Sequence, residues 1–191
     1  MPILPADPDR YPASLFDETP ADRADPRRWW VMHTKPRQEK ALARQLGAAA
    51  IPYYLPCVDR RTRIRGRVLT AQVPLFTSYL FLLADRGERV TALATDRVVH
   101  ALEVHDDPRM WSDLRQLERL IRTGVPVTPE AQLAPGTPVE ITSGPLEGLS
   151  GTIVRSASGR RFVVRVDFIQ QGASVVLDDF ALLPLRPDAA A

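Results

Sequence analysis

The chain has 191 residues, of which 45% are hydrophobic and 25% are charged. This composition is typical of one large or two small globular domains and excludes a disordered or collagen-like chain. A single cysteine excludes an internal disulfide framework, and no Cys/His cluster has zinc-ligand spacing. No apolar run approaches the roughly 18 residues that a membrane helix needs. The N-terminus also lacks the order of a secretory signal, so we expect a cytoplasmic protein with no membrane partner.

The net charge of +2 hides an uneven distribution of charge along the chain. Residues 1–26 hold six acids and two arginines, whereas residues 27–67 hold eleven bases and two acids. A basic block of this kind indicates a nucleic acid or another polyanion as partner. Residues 1–26 also carry six of the 18 prolines and no sustained apolar periodicity, which predicts a flexible acidic tail.

After the expected tail, residues 29–67 show sequence patterns typical of strands, a helix and a hairpin. The apolar run at 29–34 predicts a strand, and a helix is expected from Pro36 to Gly47, because proline suits a first helical turn and glycine a helix end. The proline-containing run at 51–58 predicts a strand at a sheet edge. Alternating arginines around a turn glycine at 59–67 predict a projecting hairpin.

The next segments complete one domain. The most apolar stretch, 74–83, predicts a central strand, and a short helix at 86–94, a strand at 98–104 and a helix at 107–124 follow. Because helices alternate with strands of what must be one sheet, residues 27–124 are expected to form a compact α/β sandwich.

The remaining residues change character. Residues 125–134 contain prolines with little periodicity and predict an interdomain linker. The sequence of residues 135–187 predicts short strands separated by turns. Alternation of apolar and polar residues at 162–168 places four apolar side chains on one face, those of Phe162, Val164, Val166 and Phe168. A domain this small avoids open sheet edges most readily as a β-barrel.

Two basic clusters lie within the first domain. The predicted first helix carries a basic stripe opposite its leucines, although a merely solvated face has the same pattern. The arginines of the hairpin would repel one another without a counter-charge, which a polyanion supplies. The candidate nucleic-acid-facing residues are Lys35, Arg37, Lys40, Arg44, Arg60, Arg61, Arg63, Arg65 and Arg67.

A glycine-rich loop lies between two β-type segments of the second domain, with Gly144, Pro145, Gly148 and Gly151. It is not a phosphate-binding P-loop, because no Gly-Lys-Ser/Thr follows and strands rather than a helix flank it. The segment strongly resembles the KOW motif. That resemblance implies a small SH3-like β-barrel of the kind found in transcription elongation factors and ribosomal proteins.

The first domain carries a second resemblance. The stretch from Trp29 to Lys40 and the sequence Pro-Leu-Phe-Thr-Ser-Tyr-Leu-Phe at 74–81 are similar to the N-terminal domain of the NusG family, closest in pattern to RfaH-like specialised paralogues. The two resemblances cover residues 29 to about 186 in the domain order of the family. They imply an α+β fold of two domains, an N-terminal sandwich with a mainly antiparallel sheet flanked by helices and a C-terminal barrel. They also imply a monomer that is not an enzyme and uses no cofactor or metal.

The resemblance further implies partners and site residues. The first domain would pack an apolar surface against the clamp helices of RNA polymerase, and its basic residues would face upstream or non-template DNA. The KOW domain would recruit the termination factor Rho or a small-subunit ribosomal protein. The clamp-helix positions match His33, Tyr79 and Phe81, although aromatic residues of a central strand also suit the core of the domain itself. A second polymerase contact would fall at Arg89, Val90 and Thr91, of which only Thr91 fits well.

Several alternatives stay open at this stage. A structural RNA- or ribosome-binding protein would also suit a KOW barrel and an arginine-rich hairpin. An enzyme is a distant third possibility, because the sequence offers no nucleophile–base pair, metal cluster or phosphate loop. Antitermination and assistance to Rho are not distinguished. The glycine turns and the alternation at 162–168 favour a barrel over a helical form of the KOW segment.

Overall fold

A computed structural model describes residues 8–17, 26–64, 67–130, 136–156, 159–176 and 182–184. The chain divides into two compact units at the bond between Trp111 and Ser112. No helix within the described residues is long and apolar enough to span a membrane.

The first unit is built on a five-stranded antiparallel sheet in the order β1-β3-β6-β2-β7, and a separate two-stranded sheet pairs β4 with β5. The helix α3 contains the boundary between the units. In chain order the elements are β1 (Arg10–Tyr11), β2 (Arg28–Thr34), α1 (Glu39–Ala48), β3 (Tyr53–Tyr54), β4 (Cys57–Ile64), β5 (Arg67–Pro74), β6 (Tyr79–Ala84), α2 (Arg86–Ala94), β7 (Val98–Glu103) and α3 (Asp107–Arg122).

One face of the five-stranded sheet packs against α1 and α2. Met32 and Leu82 on this face are fully buried with Leu42 and Leu46 of α1 and Ala92 of α2. Leu42 and Leu46 are four residues apart and therefore point the same way from the helix. This cluster forms the core of the first unit.

Strand alternation turns Trp29, Val31, His33, Tyr79 and Phe81 toward the opposite face, which we call the second face. Phe16, from the described N-terminal residues 8–17, packs on it against Trp29. Leu15 and Phe16 are only 2% and 5% exposed, and β1 pairs with β3.

Residues 8–17, expected within a flexible acidic tail, are therefore ordered on the sheet. The physical reason is that a short paired strand and two buried apolar side chains anchor a segment whose composition is otherwise polar and proline-rich. We call residues 8–17 the strap. Of the rest of the expected tail, residues 1–7 and 18–25 lie outside the described residues.

Several element boundaries differ from the sequence patterns for local backbone reasons. The helix expected from Pro36 begins at Glu39, because Arg37 adopts a left-handed backbone with φ of 62°. The expected central strand begins only at Tyr79, because Ser78 before it has a φ of 65°. The run at 51–58 is divided between β3 and β4. The helix α2 lies where the pattern places it, with a capping box at its start.

The expected hairpin is present and long. Strands β4 and β5 pair in continuous register from Cys57 opposite Pro74 to Ile64 opposite Arg67. Residues 65–66, which include the expected turn glycine, lie outside the described residues.

The second unit contains a six-stranded antiparallel sheet in the order β13-β9-β10-β11-β12-β8. The strand β8 lies within the expected linker and pairs with β12, which adds a strand that the sequence pattern does not indicate. Phe162, Val164 and Val166 are buried as the alternation indicates, but Phe168 falls in a 3-10 turn at Asp167–Ile169 and is exposed. The strands are β8 (Thr128–Glu130), β9 (Thr137–Ile141), β10 (Ser150–Ser156), β11 (Gly159–Val166), β12 (Gln171–Val176) and β13 (Leu182–Pro184).

Candidate functional site

A cluster of three rings lies at one end of the second face. His33 of β2 stands opposite Tyr79 of β6 on one side and His100 of β7 on the other. The ring centroids of His33 and Tyr79 are 5.4 Å apart, and the two histidine rings stack at 6.2 Å. His33 and Tyr79 are half-buried and His100 is exposed, so the cluster has an accessible aromatic surface. Sequence patterns do not assign His100 to this cluster, because only its register beside His33 places it there.

Phe81 lies on the same face but is fully buried. Its ring meets Phe76 edge-on, with centroids 6.4 Å apart, which is a favoured aromatic geometry. In the free chain Phe81 is therefore a core residue. Of the three expected clamp-helix residues, His33 and Tyr79 have accessible surface.

The turn before Tyr79 is held by a buried carboxylate. Glu39, at the start of α1, is 4% exposed, and its Oε1 accepts a hydrogen bond from the Ser78 amide at 2.7 Å. The Ser78 carbonyl accepts from the Thr34 amide at 2.9 Å. These bonds fix a backbone with φ of 65° that a non-glycine residue rarely adopts. Glu39 thus positions the strand that carries Tyr79, a role that the sequence alone does not suggest.

The basic residues near α1 occupy different settings. Lys35 precedes the helix, and its Nζ lies 2.8 Å from Asp96 Oδ1. That contact lowers the pKa of Asp96, first through the hydrogen bond from Lys35 and then through its charge. Arg37 is exposed and lies outside the helix, so it does not share the helical stripe expected for it. Lys40 and Arg44 are four residues apart on α1 and follow one face.

The hairpin continues this basic surface. Lys40 Nζ donates to the Gln72 carbonyl of β5 at 2.7 Å, which links α1 to the hairpin. Arg60, Arg61 and Arg63 are exposed. Alternation along β4 puts Arg61 and Arg63 on one face of the ribbon and Arg60 on the other.

Of the two remaining hairpin arginines, one lies in a described strand and the other does not. Arg67 begins β5, whereas Arg65 lies outside the described residues. The side chains of Arg60, Arg61 and Arg63 give the ribbon positive charge on both faces.

The residues expected to form a second polymerase contact lie on α2. The Arg89 guanidinium carbon lies over the Trp30 ring, 4.6 Å from its centroid, so this side chain packs within the first unit. Val90 is 55% exposed. The Thr91 hydroxyl donates to the Gly87 carbonyl one turn earlier. Val90 and Thr91 are therefore the accessible members of the three.

The glycine-rich loop connects β9 to β10 and needs its glycines for two reasons. Gly144 and Gly148 have φ of 91° and 75°, which other residues rarely adopt. At Gly151 a Cβ would lie 2.6 Å from the Phe162 ring, so only glycine lets β10 approach β11 this closely. Pro145 lies between the first two glycines and is exposed.

The second half of α3 holds this loop. The Arg119 guanidinium donates to the carbonyls of Glu147 and Gly148, and the Gln116 side chain accepts from the Ser150 amide at 2.7 Å. The sequence pattern indicates the apolar face of α3. It does not indicate that Gln116 and Arg119 bind the loop, because ordinary surface residues of a helix occur at the same positions. Among the described residues, no group of three His, Cys, Asp or Glu side chains could hold a metal.

Within the part of the chain that the structure describes, the fold is mixed α/β, with three helices, antiparallel sheets and a basic hairpin. Residues 27–121 match the model of the NusG family, described as transcription termination factor nusG. This match supports, for that segment, the resemblance to the NusG family expected from its motifs. Among solved structures, the one described as "Domain interaction in Thermotoga maritima NusG" is similar to this chain. The two align at 17% identity over 78% of this chain and 93% of that chain, with a TM-score of 0.43. A search of curated proteins found no match.

Proposed function

We propose that this protein is a transcription elongation factor that binds RNA polymerase through residues 27–124 and suppresses pausing or termination. The match of residues 27–121 to the NusG family carries the proposal, because this family typically binds RNA polymerase. In this proposal the protein is a cytoplasmic monomer that is not an enzyme and needs no cofactor. Its closest functional type is an RfaH-like specialised paralogue.

The half-buried rings of His33 and Tyr79 support a contact with an apolar helix. They lie side by side at the accessible end of the second face. Aromatic groups that are partly exposed and held in place by a sheet are suitable anchors for a helix in a groove. Phe81 lies two residues further along the same face and is buried.

The second unit is proposed to be a KOW domain with an SH3-like barrel over residues 135–187. The loop with Gly144, Pro145, Gly148 and Gly151 and the six-stranded antiparallel sheet support this assignment. Its role would be to recruit Rho or a small-subunit ribosomal protein while the basic hairpin faces upstream or non-template DNA.

Polymerase binding by variants tests the proposal. Tyr79→Ala is expected to weaken binding to core RNA polymerase by about 2 kcal/mol or more, roughly thirtyfold, because it removes a central aromatic anchor. Phe168→Ala removes an exposed ring of the second unit and is expected to leave binding unchanged. The measurement is a titration with circular dichroism of each variant to confirm folding.

Two outcomes would contradict the proposal. Unchanged polymerase binding by a folded Tyr79→Ala variant would contradict the assignment of the His33–Tyr79 surface as the polymerase contact. Binding of structured RNA in a salt-sensitive manner, with no polymerase affinity in the wild type, would favour an RNA- or ribosome-binding protein instead.

A further inference from the structure

The strap lies on the same sheet face as the residues assigned above to polymerase binding. Phe16 of the strap stacks on Trp29 with ring centroids 6.4 Å apart and meets Tyr54 edge-on at 5.0 Å. Tyr54 stands directly opposite Phe81 in the β3–β6 ladder, and opposite residues of a ladder point to the same face. The ring of Phe16 therefore covers part of the second face from the side of β3.

The strap is attached to the sheet through β3. Two of its backbone pairs, Arg10 with Tyr54 and Tyr11 with Tyr53, join it to β3. The Leu55 amide donates to the Asp9 carbonyl at 2.6 Å.

Side chains complete the attachment. The Arg10 guanidinium lies 6.0 Å from the Phe16 ring centroid and 5.8 Å from that of Tyr54. The Tyr53 hydroxyl donates to the Pro8 carbonyl at 3.1 Å. Leu15 and Phe16 are the buried apolar side chains of the strap.

The strap is held less firmly than the strands it covers. The β1–β3 ladder has two pairs, whereas β2 and β6 pair at six positions in the middle of the sheet. Within the described residues, β1 is also the edge strand of the sheet. Segments held by short ladders at the edge of a sheet open locally while the rest of a fold stays closed.

We propose that the strap is an autoinhibitory cover of the second face, which closes part of the surface in the free protein and is displaced when the apolar helix of the polymerase binds. The proposal rests on the proposed function, since that helix is the competing occupant. The apparent affinity is then reduced by the fraction of molecules whose strap is closed. The half-buried pair His33 and Tyr79 stays accessible and makes the first contact.

Full-length Phe16→Ala tests the proposal, with Tyr11→Ala as the matched control. Both changes remove one aromatic ring from the strap, but Phe16 is buried and Tyr11 is 36% exposed. Hydrogen exchange at the Leu55 amide reports strap opening, and amides of the β2–β6 ladder report unfolding of the sheet. Titration with core RNA polymerase reports competition.

In the wild type the Leu55 amide is expected to exchange faster than the β2–β6 amides. Phe16→Ala should accelerate Leu55 exchange by about tenfold without changing the β2–β6 amides, because the strap loses its largest buried group. It should also tighten polymerase binding by up to about tenfold, since more molecules are open. Tyr11→Ala should leave both measurements as in the wild type.

Different results would overturn the proposal in distinguishable ways. Exchange of Leu55 at the rate of the β2–β6 amides in both proteins would show that the strap is a permanent part of the sheet. Faster Leu55 exchange in Phe16→Ala without tighter polymerase binding would show that the strap does not compete, and the proposed function would stand. If neither protein binds polymerase, both the strap proposal and the proposed function fail.

Discussion

Glu39 shows how one buried charge sets the position of a surface residue. Its carboxylate is 4% exposed and accepts the Ser78 amide, and Ser78 leads directly into Tyr79. A buried carboxylate is costly unless it is hydrogen-bonded. The contact therefore couples the start of α1 to the turn that aims the candidate binding residue.

Glu39→Ala is expected to destabilise the first unit by about 1–3 kcal/mol, because the Ser78 amide loses its acceptor in a turn with unfavourable φ. Glu39→Gln keeps a carbonyl acceptor and should lose less. Urea unfolding, followed by tryptophan fluorescence, measures the free energy of unfolding of both variants. The control is Glu103→Ala at an exposed position, which should stay within about 0.5 kcal/mol of the wild type. Equal stability of Glu39→Ala and the wild type would show that the Ser78 amide finds another acceptor.

At the scale of the element, α2 is stabilised at its first turn by acidic groups. Asp85 caps the helix by accepting the Glu88 amide, and Glu88 accepts the Asp85 amide in return. Arg27 donates two hydrogen bonds to the same Glu88 carboxylate, at 2.8 and 2.7 Å. The helix is thereby attached to the residue that precedes β2.

These interactions predict a pH dependence of stability. The hydrogen bond from Arg27, and then that from the Asp85 backbone, lower the pKa of Glu88 below its usual 4.5 against the opposing effect of burial. A lowered pKa in the folded state gives stability that is present above pH 4.5 and is lost as the pH falls through the folded value. Thermal unfolding between pH 7 and pH 3 should therefore show a decline at the acid end, smaller in Glu88→Gln than in the wild type. An identical decline in both proteins would assign the acid sensitivity to other carboxylates.

At the scale of the whole molecule, element types are predictable from local pattern, whereas irregular features depend on long-range contacts. The apolar run before His33 and the spacing of α3 indicate a strand and a helix directly. The strap could not be predicted, because Phe16 stands among prolines and acids and packs against Trp29 and Tyr54, which are distant in sequence.

The candidate site follows the same rule. Motif residues such as Tyr79 and the loop glycines can be recognised from the sequence, and so can the basic character of the hairpin. The burial of Phe81 and the neighbourhood of His100 depend on the strand register, which no local pattern contains. The hydrogen bonds of Arg119 to the glycine loop likewise join residues that are 28 and 29 positions apart.

The segregation of charge in the whole chain leads to the last prediction, which concerns nucleic-acid binding. Eleven bases and two acids fall within residues 27–67, although the net charge of the chain is only +2. Because Arg61 and Arg63 share one face of the hairpin and are exposed, both can reach phosphates of a single backbone. Duplex or single-stranded DNA is therefore expected to bind with an affinity that falls steeply as salt rises.

The double variant Arg61→Ala/Arg63→Ala should reduce the slope of log affinity against log salt concentration. The expected reduction is roughly 0.7 to 0.9 for each phosphate that the hairpin no longer neutralises. Arg86→Ala, an exposed arginine at the start of α2, removes equal charge per residue outside the hairpin and should leave the slope nearly unchanged. Fluorescence anisotropy with a labelled duplex and with a single strand, each over a range of salt concentrations, measures the slopes. An equal slope for the hairpin variant and the wild type would show that the hairpin does not bind phosphate. A reduction in Arg86→Ala that is half of that in the double variant would instead assign the effect to net charge alone, because the double variant removes twice the charge.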